Sequence, residues 1–125
     1  LRKATLNTIF TKCDVVCVAL NLNKSTKNII NSNVLKKANN KIKIINASRG
    51  AIINEKDLYI FLKKNKQAEA YLDCFVQEPY KGNLLKLKNI YPLPHIASYT
   101  DETRRNMEIS ASKSLINHLD KINII

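Results

Sequence analysis

Three side chains in this sequence have the chemistry of a proton-transfer and anion-binding site: Arg49, Glu78 and His95. An imidazole can give or take a proton near neutral pH, which the interconversion of a carbonyl and an alcohol requires. A carboxylate beside it, such as that of Glu78, would orient the ring and stabilise its charged form. The planar guanidinium of Arg49 matches a carboxylate with two hydrogen bonds. The set indicates an oxidoreductase whose hydride comes from a cofactor, because no side chain can supply one.

Each of these residues also has a simpler interpretation. Arg49 could be a surface arginine in a loop, and Glu78 could be a turn carboxylate before Pro79. His95 could be a hydrogen-bonded histidine beneath a loop. The local patterns leave these alternatives open. The choice between a functional and a purely structural role depends on whether the predicted strands and helices place the three residues together.

The stretch from Ile44 to Leu58, IINASRGAIINEKDL, predicts a strand, a tight loop and a helix. Gly50 is expected to let the backbone turn sharply and to let a ligand approach it. Asn54 is a favourable N-cap residue, and two acidic residues follow in the first helical turn, where the helix dipole stabilises them. The arginine therefore lies just beyond the end of a strand.

Apolar runs predict four strands, at residues 14–20, 41–46, 68–74 and 90–93. The first run, DVVCVAL, shows no alternation of apolar and polar residues, which is typical of a strand buried on both faces. Helical spacing predicts helices at residues 1–12, 28–38, 54–66 and 100–119. In the last helix we expect four apolar residues to be buried: Met107, Ala111, Leu115 and Ile116.

Strands that alternate with helices predict a parallel sheet with right-handed crossovers. The carboxyl ends of parallel strands lie at one edge, where such sheets bind ligands. Arg49 follows the second predicted strand, Asp73 and Glu78 close the third, and His95 follows the fourth. We therefore expect these four residues along a single edge.

The composition restricts the class of protein. The 125 residues fit one domain, and an apolar content of 45% is sufficient for a core. No apolar run approaches the roughly 18 residues of a membrane span, and the N-terminus lacks the apolar region of a signal peptide. The chain starts with Leu, which suggests an excised or incomplete chain, and we expect a cytosolic location. Cys13, Cys17 and Cys74 lack CxxC spacing and are expected to be buried thiols, without a metal or disulfide role.

The formal net charge of +11 comes mainly from dispersed lysines without interleaved aromatic residues. A nucleic-acid footprint would be more clustered, so we expect neither a nucleic-acid nor a membrane partner. The positive field would attract an anionic cofactor or substrate.

Three motifs resemble the D-isomer-specific 2-hydroxyacid dehydrogenases, in that family's order. NASRG at 46–50 precedes an apolar pair and an acidic helix start, LDCFVQEP at 72–79 resembles L-D-V-F-x-x-E-P, and PHIASYT at 94–100 resembles P-H-I-G-x-x-T. The resemblance runs from about Asp14 to Leu119 and covers the second half of the family's dinucleotide-binding domain. It implies an α/β fold, part of a Rossmann-type parallel sheet with helices on both faces, and NAD as the cofactor.

The resemblance also implies residue roles. Arg49 would bind the 2-oxo acid, Glu78 would pair with the histidine, and His95 would be the acid/base. Asp73 corresponds to the aspartate that contacts the nicotinamide end of NAD. Leu20 corresponds to a cofactor-side loop where the family usually has His-x-Pro and this chain has Ala-Leu-Asn. The other implied cofactor contacts are Ala47, Ser48, Arg49, His95, Ile96, Ala97 and Ser98.

The chain departs from the family in what it lacks. It contains no GxGxxG motif, and its only glycines are Gly50 and Gly82. The phosphate-binding helix and the acid for the adenosine ribose would lie before Leu1, and the substrate domain is absent. Residues 1–125 are therefore expected to form a partial dinucleotide-binding domain, inactive alone and homodimeric in the complete protein.

The substrate class implied is a small 2-hydroxy or 2-oxo acid. The EPYKGNL and NME stretches resemble phosphoglycerate dehydrogenase-like members, whereas YTDE resembles D-lactate dehydrogenases. A competing interpretation is a non-catalytic module of the same fold that senses NAD or recruits a partner. A basic nucleic-acid-binding domain is a third, which the dispersed lysines disfavour.

Overall fold

The computed structural model describes residues 2–122, which form two units that are treated separately, one ending at His95 and one starting at Ile96. The first unit contains a sheet of four parallel strands in the order β1-β2-β3-β4. The strands are β1 Val15–Val18, β2 Lys43–Asn46, β3 Glu69–Leu72 and β4 Ile90–Pro92. The predicted Rossmann-type parallel sheet is thus confirmed, with each strand shorter than its apolar run.

Three α-helices accompany the sheet within residues 2–95: α1 Leu6–Lys12, α2 Ser32–Leu35 and α3 Glu55–Lys64. Two short 3₁₀ helices, Gly50–Ile52 and Asn83–Lys86, lie in the connections. Each begins after a polar N-cap whose side chain accepts a backbone N–H of the first turn, namely Thr5, Asn31 and Asn54. The expected cap Asn54 is therefore confirmed. Leu58, Phe61 and Leu62 form the buried stripe of α3.

The core lies between the helices and one face of the sheet. Phe10 of α1, Leu35 of α2 and Leu58 of α3 pack in one cluster with Ile44 and Leu72 from the strands. The other face is more open, and one row of paired residues crosses all four strands there: Cys17, Ile45, Tyr71 and Tyr91. Within residues 2–95, the expectation of helices on both faces is met on one face only.

The prediction that β1 is buried on both faces is wrong. Val16 and Val18 are buried, but Val15 and Cys17 point to the open face and are exposed. An apolar run indicates which residues can be buried, but it does not predict which face of the sheet is covered by helices. The expectation of buried cysteines holds only for Cys74: Cys13, at the end of α1, is half-buried, and Cys17, on the open face of β1, is exposed. All three are free thiols.

The second unit contains the long helix α4, Asp101–Lys121, whose N-cap Thr100 accepts the Thr103 N–H at 3.2 Å. None of its described side chains is buried, so the expected burial of Met107, Ala111, Leu115 and Ile116 is wrong. The physical reason is that α4 is the only helix or strand within the described residues 96–122, and its unit offers no surface to pack on. No helix in the described part of the chain has the length and hydropathy needed to cross a membrane.

Candidate active site

The charged residues singled out from the sequence follow the carboxyl ends of neighbouring strands. Arg49 lies beyond β2, Asp73 directly follows β3, and His95 lies beyond β4. Because all the strands are parallel, these positions share one edge of the sheet. The edge is the place where an open α/β sheet binds ligands.

Asn46 shapes the loop that holds Arg49. Its side chain is 1% exposed, and its amide nitrogen donates to the Arg49 carbonyl oxygen at 3.1 Å. Its amide oxygen accepts the Ser48 N–H at 3.1 Å and the Ser48 hydroxyl at 2.8 Å. Asn46 is not among the site residues predicted from the sequence, although an amide residue at the end of an apolar strand just before a polar loop is a recognisable signal.

Arg49 itself is exposed, and its Nη1 donates to the Ser48 carbonyl oxygen at 2.7 Å. This bond holds the guanidinium against its own loop, where it remains exposed to solvent. A carboxylate arriving from solvent can reach the guanidinium there, and the planar fork would bind it with two hydrogen bonds.

Gly50 has a different role from the one expected. No glycine in the described residues has a positive φ, so a sharp turn does not require it. A Cβ at this position would overlap the backbone carbonyl group of Phe75. Gly50 is therefore needed for close packing between the loop after β2 and the segment after β3, rather than for approach of a ligand.

Glu78 and His95 are in direct contact. The His95 Nδ1 lies 2.9 Å from Glu78 Oε2 and 3.1 Å from Oε1. Glu78 Oε1 also accepts the Phe75 N–H at 2.9 Å. The Phe75 N–H, and next the hydrogen bond with His95, hold the pKa of the Glu78 carboxyl below its ordinary value.

This contact determines which nitrogen of His95 could react. An ionised Glu78 accepts a hydrogen bond from Nδ1–H, so Nε2 is the nitrogen left to exchange a proton with a bound molecule. His95 also has a φ of +59°, a left-handed conformation that few residues other than glycine adopt. Such backbone strain is common at functional sites, where the surroundings hold a side chain in one orientation.

Buried groups surround the thiol of Cys74, which lies between the loop that holds Arg49 and the segment that contains Glu78. Asp73 is only 4% exposed, and Cys74 Sγ donates to the Asn46 carbonyl oxygen at 3.7 Å. Burial, and then the charges of Asp73 and Glu78, raise the pKa of the Cys74 thiol to about 11. The thiol is therefore protonated near neutral pH and serves as a small packing group in this region.

Two surface cavities open at this edge. One, the Arg49 cavity, has a volume of about 360 Å³ and is lined by Ala19, Leu20, Asn21, Leu22, Ser48 and Arg49. The other, the His95 cavity, has about 550 Å³ and is lined by Phe75, Glu78, Pro79, Tyr80, Leu85 and residues 92–95. The first cavity brings Leu20, Ser48 and Arg49 together, while Ala47 lies exposed in the same loop.

The remaining implied cofactor contacts belong to the second unit. Ile96 accepts the Tyr99 N–H at 2.9 Å, and Ser98 lines a small cavity with Tyr99 and Arg104. The roles of Ile96, Ala97 and Ser98 remain predictions. No group of three metal-binding side chains is found among residues 2–122.

The parallel sheet and its charged edge define an α/β domain of the dinucleotide-binding class. Residues 1–97 match the family model described as D-isomer specific 2-hydroxyacid dehydrogenase, NAD binding domain. The chain belongs to this family.

Relatives with known names resemble the chain over most of its length. Glyoxylate/hydroxypyruvate reductase B of Cronobacter sakazakii is 39% identical over 121 residues, which is 95% of this chain and 37% of that protein. A glyoxylate reductase from Paecilomyes thermophila superimposes with a TM-score of 0.77 at 36% identity, over 85% of this chain and 33% of that one. An NADPH-dependent glyoxylate/hydroxypyruvate reductase of Sinorhizobium meliloti superimposes with a TM-score of 0.73 at 32% identity, over 80% and 32%. The chain thus spans about a third of the length of these relatives.

Proposed function

We propose that this chain forms the acid–base half of the cofactor domain in a reductase of small 2-oxo acids. The observation that supports this most strongly is the Glu78–His95 contact, in which one carboxylate is bound by the imidazole and by a backbone N–H. A turn carboxylate or a surface histidine would not require this double anchoring. The exposed Arg49 on the same edge provides the second function that such a reductase needs, which is binding of the substrate carboxylate.

The proposed roles follow from the chemistry of each group. Arg49 binds the carboxylate of the 2-oxo acid and thereby places the neighbouring carbonyl. His95 donates the proton from Nε2 to the carbonyl oxygen during reduction and removes it during oxidation. Glu78 orients the ring and stabilises its charged form. A bound reduced nicotinamide supplies the hydride.

The site fits one end of the cofactor only. The Arg49 cavity and the buried Asp73 carboxylate lie at the ligand-binding edge, where a nicotinamide and its ribose can be held. The chain has no glycine-rich loop for the pyrophosphate, since Gly50 packs on Phe75 and Gly82 packs on Tyr80. We propose that segments outside this chain bind the adenosine half, so that the domain is incomplete and inactive alone.

The substrate and cofactor are proposed from the relatives. Glyoxylate and hydroxypyruvate are the substrates in the names of the bacterial relatives, so we propose a 2-oxo acid of this size. The family description supports NADH, whereas the Sinorhizobium meliloti enzyme uses NADPH. We propose NADH, a cytosolic location and a homodimer for the complete protein.

A chimera provides the test. This chain replaces the matching 121-residue segment of the Cronobacter sakazakii reductase. We expect the chimera to reduce glyoxylate or hydroxypyruvate with NADH, and His95→Ala to lower the rate by about 10² to 10⁴. The exposed histidine of α4 serves as the control, because His118→Ala should leave the rate unchanged.

Two results would contradict the proposal. Turnover of NADH by the isolated 125-residue chain would show that the chain is not an incomplete domain. A chimera that binds NADH but reduces neither acid would instead support a non-catalytic, nucleotide-sensing module of the same fold.

A further inference from the structure

Glu55 contacts the segment that contains Glu78, although it lies on a different element. It is half-buried in the first turn of α3, and its Oε1 accepts the Val76 N–H at 2.7 Å. The preceding N–H, that of Phe75, is donated to Glu78 at 2.9 Å. Two successive backbone N–H groups are thus bound by two carboxylates, one from the site and one from α3.

The capping of α3 does not explain this contact. The Asn54 side chain already accepts the Asp57 N–H at 3.1 Å and caps the helix. Asp57, in the same turn as Glu55, reaches in another direction and accepts the Ser32 N–H at 2.8 Å. The first turn of α3 therefore binds two other segments through two carboxylates, the start of α2 and the segment that contains Glu78. Only the second of these belongs to the site.

The Glu78 segment has little other support near Val76. Val76 is 61% exposed, so it adds little packing of its own. The Phe75 ring stacks on Tyr80 with the centroids 4.3 Å apart, and the Phe75 backbone lies against Gly50. These contacts hold the segment at Phe75, whereas Glu55 holds it at the next residue, in the direction of Glu78.

We propose that Glu55 is a positioning residue for the Glu78–His95 pair. Its carboxylate fixes the Val76 N–H and so limits the rotation of the segment that presents Glu78 to the imidazole. The inference rests on the proposed function, because it assigns the positioning to the acid–base pair of that site. Other charged groups near the segment include Lys81, which lines a cavity with Glu55 and Glu78. Asp73 after β3 and Arg49 after β2 are also near, since their charges act on the same Cys74 thiol as Glu78.

The test is a nuclear magnetic resonance titration of the histidine rings in the 125-residue chain. The chain has two histidines, so His118 on α4 serves as an internal reference for the signal of His95. In Glu55→Ala we expect the midpoint of the His95 titration to fall by roughly half a pH unit, since a misaligned carboxylate stabilises the imidazolium less. Glu55→Gln retains a side-chain oxygen that can accept the Val76 N–H, and it should keep the midpoint near that of the wild type.

Two further variants separate positioning from other effects. Asp57→Ala removes the companion carboxylate from the same helical turn, so it should lower thermal stability without moving the His95 midpoint. Glu78→Gln removes the partner itself and should give the largest downward shift. In the chimera, Glu55→Ala should lower kcat several-fold and leave the KM for NADH unchanged.

Each contrary outcome has a distinct meaning. If Glu78→Gln moves the midpoint and Glu55→Ala does not, the inference about Glu55 is wrong while the proposed function stands. If Glu55→Gln shifts the midpoint as far as Glu55→Ala, the effect is one of charge and the positioning role is wrong. If neither Glu78→Gln nor Glu55→Ala moves it, the pair is uncoupled and both proposals fail.

Discussion

Gly50 lies so close to Phe75 that any side chain at position 50 would overlap the Phe75 backbone. The contact joins the loop that presents Arg49 to the segment that presents Glu78, whose carboxylate accepts the Phe75 N–H. Arg49, the proposed anion-binding group, and Glu78, of the proposed acid–base pair, therefore lie on two segments joined by one backbone contact between neighbouring strand ends.

Replacing Gly50 by alanine tests this contact. Overpacking against a backbone costs about 1–3 kcal/mol, while loss of glycine's freedom in the unfolded chain returns about 0.4–1 kcal/mol. We therefore expect a net loss in the free energy of unfolding, measured by urea denaturation. Gly82→Ala is the comparison variant, because the three atoms nearest to its Cβ would belong to the Tyr80 side chain and not to the backbone. An equal or smaller loss for Gly50→Ala would show that the strand ends are not held through this contact.

The loop at Asn46 allows a second prediction. Asn46→Ala leaves the Arg49 carbonyl oxygen and the Ser48 N–H without their buried partner. An unsatisfied buried polar group costs about 1–3 kcal/mol, so unfolding should become easier by an amount in that range. Asn40→Ala, at an exposed turn position, should change stability little. If the two variants are equally stable, Asn46 does not organise the arginine loop.

The lowered pKa of Glu78 predicts an acid dependence of stability. Because its pKa is lower in the folded state than its ordinary value of about 4.5, the ionised carboxylate stabilises the fold above that value. This stabilisation is lost as the pH falls through the lowered folded pKa. Wild type should be more stable than Glu78→Gln at pH 6–7, and this difference in unfolding free energy should shrink as the pH falls below 4.5 towards the lowered pKa of the folded state.

The matched control for that titration is Glu108→Gln, which removes one exposed negative charge from α4. The difference in unfolding free energy between wild type and Glu108→Gln should not show the same decrease at low pH. If wild type instead becomes more stable relative to Glu78→Gln as the pH falls, the ionised carboxylate destabilises the folded state, which would contradict its hydrogen bonds.

Arg49→Lys tests the geometry of anion binding in the chimera. Lysine keeps the positive charge and loses the planar fork, so the two hydrogen bonds to a carboxylate cannot both form. We expect kcat/KM for the 2-oxo acid to fall by about 10², equivalent to about 2.7 kcal/mol, with the Kd for NADH almost unchanged. Arg105→Lys on the exposed surface of α4 is the control. A parallel loss of NADH affinity would make Arg49 a cofactor or folding residue.

Sequence patterns were sufficient for features that depend on local chemistry. Apolar runs and N-cap residues predicted the four strands and the starts of α3 and α4, because period and capping are properties of adjacent residues. The alternation of strands and helices then predicted the shared edge of Arg49 and His95. The Glu78–His95 contact could be expected only through the resemblance and the chemistry of the two side chains.

Features that depend on contacts between distant residues were not predictable. The burial of Val16 but not Val15 depends on which face of the sheet the helices cover. The need for a glycine at position 50 depends on the approach of Phe75, and the role of Glu55 depends on the nearby Val76 N–H. Each of these features depends on residues that are distant in the sequence, so the local sequence pattern does not predict it.

The acid–base assignment is tested most directly by pH–rate profiles of the chimera in both directions, with wild type compared with Glu78→Gln. Reduction requires the protonated imidazole of His95 and should fail at high pH, whereas oxidation requires the neutral ring and should fail at low pH. Removing the carboxylate destabilises the imidazolium, so both limbs should move to lower pH, by roughly one unit. A reduction limb that stays in place or moves to higher pH would show that Glu78 is not the partner of the proton donor.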